Sequence, residues 1–151
     1  MKITDVSIIP YHYKFKQPLK TASQNFTHRD GFIIQLKSGE IIGHGESSPL
    51  PGFSIESLKE VSYALESYRL AIIDLGDTSV QELISFIPIY CDVYPAVEFG
   101  LETAIYDLAS QIDRKTFSQF LNPNASQTIV SNGIEGIHNP DENYSSIKVK
   151  V

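Results

Sequence analysis

Residues 31–47, GFIIQLKSGEIIGHGES, are two short runs rich in β-branched residues on either side of Lys37-Ser38-Gly39-Glu40. A Ser-Gly pair between two such runs predicts a β-hairpin turn. Residues 2–15, KITDVSIIPYHYKF, have strand composition and predict a preceding strand. Residues 16–30 are polar, with one proline and no sustained period, and predict a long loop. The first third of the chain is therefore predicted to form a three-stranded antiparallel meander.

Downstream of this meander the hydrophobic period changes from two residues to three and four. Apolar residues then recur on one helical face, at Leu58, Val61, Leu65, Tyr68 and Ile72. This period predicts a helix from about Ser54 to Ile73, with Ser54 as its N-cap.

Three further helices complete a predicted helical bundle. Ser79 and Glu82 form a capping-box pattern ahead of a short second helix, which Pro88 is predicted to end. Pro95 suits the first turn of a third helix. The buried stripe predicted for this third helix is Val97, Leu101, Ala104, Ile105, Leu108 and Ile112. A shorter helix is predicted from Phe117 to Leu121.

The remaining residues revert to strand character after a linker, residues 121–127, LNPNASQ. Residues 128–132, TIVSN, predict one strand and residues 147–151, IKVKV, predict another, with two turns of helix at most between them. The fold class is therefore α+β, a meander followed by a helical bundle, and then the start of an α/β domain. We expect a domain boundary between residues 1–122 and 123–151.

Composition and charge exclude several classes of protein. The net charge is -6 and no basic run is present, so the sequence predicts no nucleic acid partner. No apolar run approaches the roughly 20 residues of a membrane span, and residues 1–10 lack the apolar core of a signal peptide. The single cysteine, Cys91, rules out an intrachain disulfide. We expect a cytoplasmic protein that has no membrane partner, and the sequence does not specify its oligomeric state.

Several short motifs are better explained by structure than by chemistry. Gly43 and Gly45 lack the context of a phosphate loop, so we interpret them as sites where the strand twists or where another backbone approaches closely, with Glu46 polar or in contact with a helix. The four histidines, His12, His28, His44 and His138, show no metal-ligand spacing. The acidic residues of the third helix, Glu102, Asp107 and Asp113, are interpreted as solvated or terminal positions.

The closing strand is the exception, because Lys148 and Lys150 share one face of it and Ile147, Val149 and Val151 share the other. By periodicity alone, the lysines either face water on an edge strand or face a site that uses them.

The order of these segments resembles the enolase superfamily, in particular its muconate lactonizing group. The resemblance rests on GHGESSPLPGF at residues 43–53, AVEFGLETAIYDLASQ at 96–111, IVSNG at 129–133 and IKVKV at 147–151. Within that group, residues 48–54, SPLPGFS, are most similar to the o-succinylbenzoate synthase family. The resemblance implies a capping domain followed by the first strands of a (β/α) barrel.

In such a barrel, the resemblance implies that both lysines point into the lumen and that Lys150 lies at the active-site end of its strand. Lys150 would then be the general base that removes a proton α to a carboxylate, and Lys148 would lower its pKa and stabilise the enolate. The family uses Mg²⁺, but its acidic ligands and its second lysine fall beyond Val151. We therefore expect this chain by itself to bind no Mg²⁺ and to be inactive.

The capping loops are the predicted substrate contacts. The resemblance implies that residues 16–28 and 47–53 fold over the mouth of the barrel and contact a small carboxylate. Leu50 and Phe53 are candidates for an apolar wall, and Lys20 and Thr21 for carboxylate contacts. Alternatively, Phe53 is a hydrophobic staple on the first helix, near Ser57 or Leu58.

Other functions stay open at this point. A dipeptide epimerase or a muconate cycloisomerase would use the same lysine strand on a different acid. A non-catalytic binding module would leave the lysines solvated.

Overall fold

Three antiparallel strands form a sheet in the order β1-β2-β3, in a computed structural model that describes residues 1–21, 24–91, 94–126, 128–134, 144 and 146–148. The strands are β1, Asp5–Lys20, β2, Asn25–Ser38, and β3, Ile41–Ser47. Gly39 lies in the β2–β3 turn with φ +59°, a conformation that glycine adopts without strain. The predicted meander and its hairpin turn are confirmed.

The long polar loop predicted at residues 16–30 is wrong, because β1 and β2 continue through it as a two-stranded ribbon. Lys14 lies opposite His28, and after an irregularity the pairing resumes with Leu19 opposite Phe26 and Lys20 opposite Asn25. Backbone pairing satisfies the polar groups of this segment without a repeating side-chain pattern. Phe26 adds buried apolar surface to the ribbon.

Four helices follow the sheet. They are α1, Leu58–Ile72, α2, Val80–Cys91, α3, Pro95–Ile112, and α4, Phe117–Leu121. The predicted order of helices is confirmed. Within the described part of the chain, none of them is long and apolar enough to cross a membrane.

Helix α1 starts three residues later than predicted for a Ser54 cap. Ser57 is the N-cap, since its Oγ accepts from the backbone N–H of Glu60 at 3.3 Å. The Glu60 carboxylate in turn accepts from the backbone N–H of Ser57 at 2.7 Å. These reciprocal bonds form a capping box. Ser54 is instead used within the preceding loop, where its Oγ accepts from the N–H of Leu50.

Helix α2 keeps the predicted Ser79–Glu82 capping box but does not end at Pro88. A proline inside a helix removes one backbone hydrogen bond. The last turn persists because Ile87 and Cys91, on either side of Pro88, are both buried in the core. Burial also raises the pKa of the Cys91 thiol to about 12, which keeps it protonated and unsuited to nucleophilic catalysis.

The core is formed by the sheet together with α1, α2 and α3, and α3 packs directly on β3. A β-carbon added to Gly45 would lie 1.9 Å from the carbonyl oxygen of Gly100, and one added to Gly43 would lie 2.4 Å from that of Ala104. The predicted close approach of another backbone at both glycines is thus confirmed, and the backbone belongs to α3. Tight packing of this kind leaves no room for a side chain.

The buried stripe of α3 is as predicted except at its end, since Ile112 is 39% exposed. Ile112 is the last residue of the helix and follows the last buried position, Ser110. Asp107 is also not a solvated position. Its carboxylate accepts from the backbone N–H of His44 at 2.8 Å and from Gln111 Nε2 at 3.0 Å, and it thereby ties α3 to β3.

The carboxy-terminal segment contains two short parallel strands, β4, Gly133–Ile134, and β5, Ile147–Lys148. The strand predicted at residues 128–132 is wrong, because Ile129 and Val130 are 88% and 84% exposed and pairing starts at Gly133. Two apolar residues do not make a strand by themselves, and among the described residues no strand pairs with them. The helical turns predicted between the strands fall on residues outside the described part.

Candidate functional site

A loop of residues 48–56 leaves β3 and ends at α1. Its central turn is closed by the N–H groups of Phe53 and Ser54, which both donate to the carbonyl of Leu50, at 3.0 and 2.9 Å. Pro49 and Pro51 restrict the backbone on either side of Leu50. The turn is a defined structure that presents Leu50 and Phe53.

The two apolar candidates of this loop differ in exposure. Leu50 is half-buried, whereas Phe53 is 61% exposed. The Phe53 ring packs beside that of Phe26 in the ribbon, with ring centroids 6.4 Å apart. Since Ser57 is the N-cap of α1, the staple position is Glu56, so the alternative interpretation of Phe53 as a staple is wrong.

The two polar candidates lie at the end of the β1–β2 ribbon. Lys20 is exposed at the last residue of β1. The Thr21 hydroxyl bonds within the turn, accepting from the N–H of Gln24 at 3.0 Å and lying 3.1 Å from the Gln24 carbonyl oxygen. Thr21 is therefore occupied in shaping the turn, whereas the Lys20 ammonium group faces solvent.

The ribbon end and the 48–56 loop converge. A β-carbon added to Gly52 would lie 2.1 Å from Gln24 Nε2, so the Gln24 side chain rests against the loop backbone. Lys20, Thr21, Leu50 and Phe53 thus belong to two adjoining segments of one surface. Their predicted roles as substrate contacts stay predictions.

Three open clefts adjoin the 48–56 loop. One of about 360 Å³ lies beside the start of α1, and the other two lie between the loop and more distant elements. The larger of these two, about 530 Å³, lies between the loop and the start of α3 and is lined by Arg29, Glu46, Phe53, Glu56 and Phe99, among others. The smaller, about 300 Å³, lies between the loop and the ribbon and includes His12, His28 and Leu50. The loop therefore forms a wall of all three clefts.

Charged side chains organise the base of the loop. Arg29 of β2 donates from Nη2 to the carbonyl of Ser48 at 2.5 Å and from Nη1 to that of Pro49 at 3.5 Å. Tyr11 donates its hydroxyl to Glu46. Burial, followed by this bond to Glu46, raises the pKa of Tyr11. Glu46 thus holds Tyr11 and does not contact a helix through its carboxylate.

Sequence reasoning missed Arg29, Gln24 and Glu56 as residues of this surface. Each acts on a segment distant in the chain, and no local spacing indicates such a contact. The one available signal was compositional, since Glu56 stands just ahead of an amphipathic helix where capping residues are common.

The histidines form no metal centre in the part of the chain that the structure describes. The rings of His12 and His28 stack with centroids 4.3 Å apart, and His12 Nδ1 lies 2.5 Å from the Asp30 carboxylate. No three His, Cys, Asp or Glu side chains converge among the described residues. The described residues therefore do not assemble the oxygen ligands that a Mg²⁺ site needs. His138 lies outside the described residues.

The structure describes one of the two candidate lysines. Lys148 lies on β5 with its side chain exposed, and Ile147 beside it is exposed as well. Lys150 lies outside the described residues, so its predicted role is untested. The parallel pairing of β4 with β5 is the arrangement found in (β/α) barrels.

A known family covers the sheet, the loops and most of α3. Residues 3–108 match the model of the MenC N-terminal domain. The chain belongs to this family.

Among curated members of the family, the o-succinylbenzoate synthases of Yersinia pestis (strain Pestoides F) and Yersinia pseudotuberculosis serotype O:1b (strain IP 31758) are each 31% identical to this chain over 100 residues. The match takes in 64% of this chain but 28% of each relative. The MenC-type chain thus spans little more than a quarter of the relatives it matches.

Solved structures show the same fold. A dipeptide epimerase from Enterococcus faecalis V583, complexed with Mg and the dipeptide L-Leu-L-Tyr, superposes with a TM-score of 0.86 at 22% identity, over 100% of this chain and 46% of that one. The L-Ala-D/L-Glu epimerase from Bacillus subtilis gives a TM-score of 0.83 at 19% identity, over 100% of this chain and 45% of that one. The predicted enolase-type fold, a meander and helices that precede a barrel, is therefore confirmed.

Proposed function

We propose that this chain is the capping domain and barrel opening of an o-succinylbenzoate synthase. The observation that supports this most directly is the match of residues 3–108 to the MenC N-terminal domain, together with 31% identity to o-succinylbenzoate synthases. The capping domain would comprise residues 1–122 and the barrel would begin in residues 123–151. The short parallel pair β4–β5 is consistent with this boundary.

The proposed reaction is the dehydration of a cyclohexadiene carboxylate to o-succinylbenzoate, a step of menaquinone biosynthesis. The neutral amine of Lys150 would take the proton α to the carboxylate, and the β-hydroxyl would leave as water on receiving a proton from the Lys150 ammonium group so formed. Lys148 would disfavour a second positive charge beside it and so keep Lys150 neutral. Mg²⁺ would supply charge stabilisation at the carboxylate, on ligands contributed by segments that follow Val151 in the relatives.

The substrate would be a small carboxylate held under the 48–56 loop and the ribbon end. Leu50 and Phe53 would provide apolar contact and Lys20 a charge partner, whereas the Thr21 hydroxyl is already bonded within its turn. We also propose a cytoplasmic location, because the cysteine of this chain is a buried free thiol.

The test is turnover by the polypeptide that the complete gene encodes. We expect it to dehydrate the cyclohexadiene substrate, measured as loss of diene absorbance. Lys150→Ala should lower kcat by 10² to 10⁴-fold, or roughly 3 to 5 kcal/mol of barrier, and Lys148→Ala should also lower it strongly. Lys59→Ala, on the exposed face of α1, is the control and should leave kcat unchanged.

Four outcomes would reject the proposal. Epimerisation of dipeptides without dehydration would assign the chain to the activity named for its structural neighbours. A gene that ends at Val151, or a product with neither activity, would favour a non-catalytic module. Near-normal turnover by the Lys150→Ala protein would show that the lysine strand is misassigned.

A further inference from the structure

Glu56 is the one charged side chain among the fully buried residues of the described part, with a relative exposure of 6%. A buried carboxylate is unfavourable unless other groups replace its lost hydration. Glu56 therefore requires a structural or functional explanation. It lies at the end of the 48–56 loop, one residue before the N-cap of α1.

One carboxylate oxygen of Glu56 caps a different helix. Its Oε1 accepts from the backbone N–H of Ala96 at 2.7 Å, in the first turn of α3. The N–H of Ala96 needs an external acceptor, because it lies in the first turn and the N-cap residue, Tyr94, makes no side-chain cap bond. The positive end of the α3 dipole also favours a negative charge at this place.

The other oxygen, Oε2, is buried and has no hydrogen-bond partner among the described residues. Capping Ala96 requires one acceptor atom, which an uncharged glutamine amide would also supply. A glutamine substitution can therefore separate the effect of the hydrogen bond between loop and helix from the effect of the carboxylate charge.

Arg29 bonds to the other end of the same loop. Arg29 holds the carbonyls of Ser48 and Pro49, where the loop leaves β3. Glu56 holds the point at which the loop reaches α3. Leu50 and Phe53 lie between these two anchors, and their turn is closed by two bonds to the Leu50 carbonyl.

We infer that Glu56 is a positioning residue that fixes the 48–56 loop by capping α3 across the larger cleft. The loop cannot move away from the start of α3 while this bond holds, so the bond sets the width of the cleft between Phe53 and Phe99. The effect on substrate binding rests on the proposed function, whereas the effect on loop order does not.

Amide hydrogen exchange on the 151-residue chain tests the effect on loop order. Glu56→Ala should accelerate exchange at Ala96, Phe53 and Ser54 by tenfold or more, relative to Ile34 in the central strand. Glu56→Gln should leave exchange at those amides within about threefold of wild type, because its amide oxygen still accepts from Ala96. Normalising to Ile34 separates local loosening from a global loss of stability.

Glu60→Ala is the matched control. It removes the carboxylate that accepts from the backbone N–H of Ser57 at the start of α1, and it leaves the bond between Glu56 and α3 in place. It should leave Ala96, Phe53 and Ser54 unchanged. Unchanged exchange at Ala96 and Phe53 in Glu56→Ala would overturn the inference. Equal acceleration in Glu56→Gln would overturn it too, because charge and not the cap bond would then be responsible.

Kinetics of the complete gene product test the consequence for binding. Glu56→Ala should raise KM five- to twentyfold with kcat within threefold, and Glu56→Gln should restore KM. A fall in kcat with unchanged KM would show that Glu56 does not act through substrate binding, and it would overturn that part of the inference. If wild-type protein shows no dehydration, the proposed function fails, and the exchange experiment still decides whether Glu56 positions the loop.

Discussion

At the scale of single residues, small side chains decide how closely the sheet and α3 approach. Gly43 and Gly45 of β3 face Ala104 and Gly100 of α3, and at both strand positions a methyl group would overlap helix backbone. The contact is backbone against backbone, so neither partner can yield by changing a rotamer. The close packing of α3 on β3 therefore requires glycine, which has no β-carbon, at these two positions.

Gly45→Ala should lower the free energy of unfolding by about 3 kcal/mol, since overpacking a rigid core typically costs 1 to 3 kcal/mol or more. Urea denaturation of the 151-residue chain measures this. Gly39→Asn is the control, because no atom lies within 4 Å of a β-carbon there and asparagine tolerates positive φ. A loss below about 0.5 kcal/mol for Gly45→Ala would contradict the packing of α3 on β3.

At the scale of elements, side-chain caps define where the helices begin. Ser57 and Glu60 cap α1, and Ser79 and Glu82 cap α2 with the same reciprocal bonds. Helix α3 has no cap of its own and takes one from the 48–56 loop. Helix α4 is also capped locally, by the Thr116 hydroxyl, so three of the four helices have local caps and α3 is capped by tertiary structure.

Ser57→Ala should destabilise the chain by about 1 kcal/mol and accelerate amide exchange at Glu60, since it removes the acceptor for that N–H. Ser54→Ala should leave exchange at Glu60 unchanged, because Ser54 bonds to Leu50 and not to the helix. Acceleration at Glu60 in Ser54→Ala would show that the helix begins earlier.

The capping box should also depend on pH. Hydrogen bonds from the Ser57 backbone and hydroxyl lower the pKa of Glu60. Because this pKa is lowered in the folded state, the interaction stabilises the protein at pH values above the ordinary pKa of a carboxyl group. The stabilisation is lost as the pH falls through the folded-state pKa. The effect of Ser57→Ala, measured by urea denaturation at pH 7 and pH 3, should therefore shrink at pH 3.

At the scale of the whole molecule, the sheet serves as a platform for two converging segments. The β1–β2 ribbon and the 48–56 loop leave the same end of the sheet and meet where Gln24 rests on Gly52. Arg29, in the ribbon, also holds the start of the loop. The two segments are therefore in direct contact through Gln24 and Arg29.

If these segments contact the substrate, Leu50→Ala and Lys20→Ala should each lower kcat/KM for dehydration in the complete gene product by more than threefold. Leu70→Ala and Lys59→Ala, exposed on α1, are the size-matched controls and should have no effect. Losses below about threefold, under roughly 0.7 kcal/mol of transition-state stabilisation, would reject the two residues as substrate contacts.

Local sequence patterns were enough to predict the features that depend on interactions between residues close together in the chain. The turn at Gly39 follows from a residue that tolerates positive φ between two β-rich runs. The stripe of α3 and the Ser79–Glu82 box follow from spacings of three and four residues, which bring side chains together within one helix. The order of a meander, helices and a parallel strand pair was therefore predictable before the structure was known.

Tertiary structure alone decided the features that depend on distant residues. Helix α2 passes Pro88 because Ile87 and Cys91 are buried against other elements, and residues 16–20 are a strand because residues 25–28 lie beside them. The anchors of the 48–56 loop, Arg29 and Glu56, bond to backbone 19 and 40 residues away in the chain. Contacts over such separations leave no periodic pattern, since they depend on how packed elements meet and not on the period of any one of them.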